Sequence, residues 1–140
     1  MGEYRCLRPT YASAADVLVT PHDKRHDDAL AHLKKQPKLT TLNVMATPQT
    51  DEGMAKLGEL HGLRTLILRE VDITDGGLSG LTSITGLGRL EVRGVPLTDD
   101  AVPHLSLFQQ LKQLEISNTG ISEAGVAELR KSLPDVEITY

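Results

Sequence analysis

The chain has 140 residues, a length that suits one domain burying roughly two thirds of its unfolded surface. Its net charge of −4 gives no long-range attraction for phosphate backbones or anionic membranes, which argues against nucleic acid and membrane surfaces as partners. No apolar run approaches the roughly 18 residues of a membrane span, and four aromatic residues (Tyr4, Tyr11, Phe108, Tyr140) leave the core to Leu, Ile and Val.

In chain order, residues 1–25 fit no repeat and are read as an N-terminal cap or tail. Met1-Gly2-Glu3-Tyr4-Arg5-Cys6 has no apolar stretch of the signal-peptide kind. The single Cys6 excludes an intramolecular disulfide and points to a reducing, cytoplasmic compartment. Asp16-Val17-Leu18-Val19-Thr20 can form a strand. Thr20-Pro21 then suits the start of a helix running towards Lys35. On that helix His22 and His26 share one face, with Asp27, Asp28 and His32 near. Lys24 and Arg25 lie between the histidines, so the segment reads as a polar capping helix rather than a metal site.

From about residue 26 the chain repeats itself. Thr50-Asp51-Glu52-Gly53-Met54, Thr74-Asp75-Gly76-Gly77-Leu78, Thr98-Asp99-Asp100-Ala101-Val102 and Ser122-Glu123-Ala124-Gly125-Val126 open alike, 24 residues apart each time. A weaker copy, Asp27-Asp28-Ala29-Leu30, begins near His26. Each opening reads as a helix start. The hydroxyl residue suits an N-cap that accepts an orphan backbone N–H, and the acidic residue after it complements the helix dipole. Gly76, Gly77 and Gly80 weaken the third unit's helix and Pro103 removes a donor in the fourth, so those helices should be short or irregular.

Each opening leads to a block with apolar residues at spacings three and two. The blocks are Leu39/Leu42/Val44, Leu63/Leu66/Leu68, Leu87/Leu90/Val92, Leu111/Leu114/Ile116 and, reached two residues early, Leu133/Val136/Ile138. The alternating pair that closes each block marks a short strand with one buried face. Roughly five parallel strands should then stack about 4.8 Å apart. The outward positions form columns. One reads Asn43, Ile67, Glu91, Glu115, Glu137, and its neighbour reads Met45, Arg69, Arg93, Ser117, Thr139. Three stacked glutamates repel one another, and Arg89 and Arg93 beside Glu91 can relieve part of that.

The block and opening together resemble the leucine-rich-repeat family, most closely the bacterial repeats with a Thr-Asp-Ala-Gly signature and the related F-box-type repeats. The likeness covers about residues 26–140. It implies an α/β, right-handed solenoid of about five 24-residue repeats, with parallel strands on the concave face and short helices on the convex face. It also implies protein binding as the usual role. The family often places Asn, Cys or Thr in the turn after the strand. Here Thr47, Val71, Val95 and Thr119 stand there, and the valines cannot hydrogen-bond.

The functional expectation is a non-catalytic module that binds a protein through the concave face, with Ile67, Arg69, Glu91, Arg93 and Glu115 as contact residues facing water. No catalytic arrangement, cofactor motif or metal set stands out, and Cys6 has no dedicated His partner near it in sequence. A second possibility is a structural subunit packed into a larger assembly through its ends or convex flank. The final segment, Val136 to Tyr140, forms an edge strand that could pair with a second copy in a homodimer.

Overall fold

The computed structural model describes residues 16–19, 39–45 and 51–140. Cys6, the histidine-bearing segment 22–32, Thr47 and Thr50 lie outside the described residues. The elements run β1 (Asp16–Val19), β2 (Thr41–Met45), α1 (Asp51–Leu57), β3 (Thr65–Arg69), α2 (Asp75–Leu81) and β4 (Arg89–Arg93). A 3-10 turn, Asp99–Ala101, leads into α3 (Val102–Leu105), followed by β5 (Gln113–Ser117), α4 (Glu123–Ser132) and β6 (Glu137–Thr139). All six strands join one sheet in sequence order, each parallel to the next. The segment read as an extra strand, β1, pairs with β2 from Asp16↔Thr41 to Val19↔Val44.

Alternation along each strand builds the core. Leu42, Val44, Leu66, Leu68, Leu90, Val92, Leu114 and Ile116 are buried against Met54, Leu57, Leu78, Leu81, Val102, Leu105 and Leu129 from the helices. Full burial of one such side chain contributes roughly 1.5–3 kcal/mol. No single repeat could supply a core alone, because each layer is one strand and one short helix thick.

The helices are as short as their sequences demand. α2 spans 7 residues, and α3 has only 4, entered through the 3-10 turn with Pro103 in its first turn, where a missing N–H costs least. α4 runs 10 residues, and its length changes the reading of the last block. Leu133 is the end of that helix, its N–H donating to the Leu129 carbonyl at 2.8 Å, so it joins Leu129 in the core rather than opening a strand block. The 24-residue step therefore holds to the last strand: Leu42, Leu66, Leu90, Leu114 and Ile138 are in register. Glu137 consequently stands opposite Gln113, and Thr139, not Glu137, follows Glu115 in its column.

The turns after β3, β4 and β5 use left-handed backbone at Glu70 (φ 53°), Gly94 (φ 64°) and Asn118 (φ 52°), again 24 residues apart. Asn adopts that conformation readily, Gly without penalty and Glu at a cost. The Glu70 N–H donates to the Arg93 carbonyl at 2.8 Å and the Gly94 N–H to the Ser117 carbonyl at 3.0 Å, which carries the ladder past the strand ends. Val71 and Val95 then need no polar side chain, and both are buried in the core.

The repeated Thr-Asp opening has a further role that runs between repeats. Asp51 accepts from the Thr74 N–H at 3.0 Å and the Thr74 hydroxyl at 2.6 Å. Asp75 does the same with Thr98 at 2.8 and 2.6 Å, and Asp99 with Ser122 at 2.7 and 2.8 Å. Each carboxylate thus clamps the start of the next repeat's helical segment. Thr98 and Ser122 also accept from Asp100 and Gly125 N–H groups as N-caps, whereas the Thr74 side chain makes no cap bond. Gly77 and Gly125 make room for their clamps: a Cβ there would lie 2.5 Å from the Asp51 or Asp99 Oδ1.

Candidate interaction surface on the sheet

The strand residues that alternate with the core point to the side of the sheet away from the helices. Most are half-buried or exposed. Asn43, Met45, Ile67, Arg69, Glu115 and Ser117 are half-buried, while Arg89, Arg93, Gln113, Glu137 and Thr139 are exposed. Ile67, Arg69, Glu91, Arg93 and Glu115 all lie on this one face, on three neighbouring strands, β3 to β5.

Glu91 departs from expectation. It does not face water but is buried, with 3% of its surface exposed, the one buried polar or charged residue among those described. Its burial comes from arginines. Arg69, on the preceding strand, donates through Nε to Oε1 at 2.8 Å and brings Nη2 to the same oxygen at 2.5 Å. Arg89, two residues before Glu91 on its own strand, places Nη2 3.6 Å from Oε2. A buried carboxylate without partners would be costly, and here two guanidinium groups close over it. Arg89 and Arg93 were the expected partners; Arg89 takes part, whereas Arg93 makes no ion pair with any described residue. It stands directly opposite Arg69, two residues beyond Glu91 on β4.

Glu115 follows Glu91 in the central column and forms no hydrogen bond or ion pair among the described residues. Beside it, Arg89, Gln113, Leu114, Glu115, Glu137 and Thr139 line a shallow hollow of about 110 Å³. Gln113 Nε2 donates to Glu137 Oε2 at 3.3 Å across its wall. At the other end of the face the Asn43 Oδ1 is shut off from solvent and accepts no hydrogen bond from a described residue.

A second groove, about 250 Å³, lies in the loops that join helices to strands. Its lining, which includes Ile84, Leu87, Phe108 and Leu107, carries no charge, and Leu107 is 61% exposed. At the last repeat Arg130 stands 5.7 Å over the ring of Tyr140, a cation–π contact that the sequence did not suggest. Among the described residues no helix is long and apolar enough to cross a membrane.

Among solved structures, a leucine-rich-repeat protein of Leptospira interrogans is similar to this chain, with a TM-score of 0.54 and 21% sequence identity over 77% of the chain. The fold is that of a leucine-rich-repeat protein. The chain spans 27% of the Leptospira protein's length. The sequence matches no protein-family model and no curated protein.

The columns found the face, but besides the Arg130–Tyr140 contact three features escaped the sequence reading. Alternation alone cannot say that Glu91 is buried, because its main partner lies one strand away and out of direct register. The clamp by Asp51, Asp75 and Asp99 had a visible signal, an acidic residue and a hydroxyl residue both returning every 24 positions. The hollow at Glu137 depends on the register of β6, which the Leu133 block disguised.

Proposed function

We propose that the chain is a non-catalytic interaction module that binds a protein partner through the outward face of its sheet. In this reading the strands line the concave side of a right-handed solenoid of about five repeats, and the single cysteine fits a cytoplasmic setting. The observation that carries the proposal is the ion pair of Arg69 and Glu91 at 2.8 Å. A charge held beneath an open face does little for stability that an apolar pair could not do. It does fix Arg69 and Arg89 in place, so that a partner meets ordered guanidinium groups rather than mobile ones. Beside them stand Arg93 and Glu115, which form no ion pair among the described residues, and the half-buried Ile67 supplies apolar area. Glu91 itself is a positioning residue beneath this surface; the contact residues are Ile67, Arg69, Arg93 and Glu115.

The test is partner capture from a native lysate with the unmodified chain, with Arg93→Glu/Glu115→Lys, and with Leu107→Asp. Circular dichroism checks that each variant folds. Partners lost only with the double variant support the sheet face. Partners kept by the double variant but lost with Leu107→Asp overturn it and move binding to the uncharged flank groove, as a structural subunit of a larger assembly would require.

A further inference from the structure

The sheet face presents its free charges in a line, and the line has a polarity. Arg93 on β4 stands opposite Ser117 on β5. Glu115 lies two residues before Ser117 and opposite Thr139 on β6, and Glu137 lies two residues before Thr139. One diagonal therefore runs Arg93, Glu115, Glu137. Each step combines two residues along a strand with one strand spacing, about 8 Å, so the whole line spans about 16 Å. Arg93 and Glu115 make no ion pair with any described residue, and among those residues the Glu137 carboxylate is met by the 3.3 Å bond from Gln113. Arg89, the remaining cation of the hollow, is turned towards Glu91.

From this pattern we propose that the face reads an extended segment of a partner protein in which one acidic and then two basic residues stand in a row at alternate positions, counted from either end of the segment. The inference rests on the sheet-face reading of function and goes beyond it by naming the partner's chemistry. An extended chain turns every second side chain to one side, about 6.6 Å apart, so residues i, i+2 and i+4 cover most of the line. The long stems of Lys or Arg close the remaining gap and let one ammonium or guanidinium enter the hollow between Glu115 and Glu137. The acidic residue then meets Arg93. Nucleic acid is a poor occupant, because its phosphates would face two carboxylates. A second copy docked face to face is also poor: pairing Arg93 of one chain with Glu137 of the other, and the reverse, brings the two Glu115 carboxylates together on the symmetry axis.

Two capped heptapeptides of identical composition test this, Gly-Asp-Ser-Lys-Ser-Lys-Gly and Gly-Lys-Ser-Asp-Ser-Lys-Gly. Each is titrated onto nitrogen-15-labelled protein at low ionic strength, where surface charges are least screened. The expected result is movement of the amide signals of Arg93, Glu115 and Thr139, with the first peptide binding about fivefold more tightly than the second. In Glu115→Gln/Glu137→Gln that preference should vanish. Equal binding of both peptides on the sheet face would overturn the charge order and leave the sheet-face reading intact. Signals that move only around Leu107 and Phe108, or that do not move at all, also overturn the proposal; partner capture then judges the broader reading on its own.

Discussion

Arg69 on β3 and Glu91 on β4 form a two-point ion pair across one diagonal of a parallel sheet, with Nε 2.8 Å from Oε1, on the face turned away from the helices. Most side chains of that face remain within reach of solvent, yet this carboxylate is buried. The pair converts a row of flexible charges into a fixed pattern, and that pattern underlies both the stability and the binding expectations for this chain.

Arg69→Met removes the main partner and leaves Glu91 with one distant guanidinium. Because Arg69 is itself partly exposed, water can enter and soften the loss, so the expected destabilisation is about 1–3 kcal/mol rather than the larger cost of a deep buried pair. Arg69→Met/Glu91→Met should recover most of it. Urea unfolding of the two variants checks both statements, and a double variant no better than the single one would contradict them.

The clamp between repeats has its own signature. Asp75→Ala should cost about 1–2 kcal/mol, since it orphans the Thr98 N–H and hydroxyl at the start of the next helical segment. Surface acids outside the clamp, such as Glu128, should be replaceable by Ala within about 0.5 kcal/mol. Thermal unfolding of the two variants side by side decides whether the clamp couples repeats.

Asp99 makes the clamp sensitive to acid. The Ser122 backbone N–H and then its hydroxyl hold the Asp99 carboxyl below its usual value. The folded-state value is depressed, so the stabilisation is complete above the unfolded carboxylate value of about 4 and is lost as pH falls through the folded one. The stability difference between the unmodified chain and Asp99→Asn should therefore be constant near neutrality and shrink below about pH 4. A difference that stays constant down to the lowest pH at which both fold would show that the carboxylate charge is irrelevant.

Two glycines in equivalent openings should respond oppositely to alanine. A Cβ on Gly125 would meet Asp99 Oδ1 at 2.5 Å and Ile121 Cγ2 at 2.9 Å, so Gly125→Ala should destabilise by about 1–2 kcal/mol despite its better helix propensity. On Gly76 the nearest atom is the Thr74 Oγ1 at 3.5 Å, and Gly76→Ala should stabilise by up to about 1 kcal/mol. Urea midpoints with the same sign for both would contradict the packing account.

Much of the architecture is legible in the sequence because a thin repeat leaves its leucines no alternative positions. Leu66, Leu90 and Leu114 must face the helices, and their 24-residue step sets the register of the sheet. Short helices are legible from Pro103 and the glycines of the third unit. The last block is not, because Leu133 satisfies a strand pattern and a helical spacing at once, and only the longer α4 decides between them. The candidate face is legible as columns, whereas the state of its charges is not. Whether Glu91 meets water depends on how far Arg69 reaches across the sheet, a side-chain choice that a one-dimensional pattern leaves open. Arg89 and Arg93, each two residues from Glu91, looked equal candidates, yet Arg89 pairs with it and Arg93 stands free of any ion pair among the described residues.

The most direct test of a binding sheet face is site-specific photocrosslinking in the native lysate. A photoreactive amino acid is placed at Glu115 or Arg93, and in separate proteins at the exposed Glu128 or Lys131 of α4. The account predicts that one discrete partner band forms from Glu115 and Arg93 and not from the two α4 positions. A band that forms from α4 alone, or equally from all four positions, would contradict it.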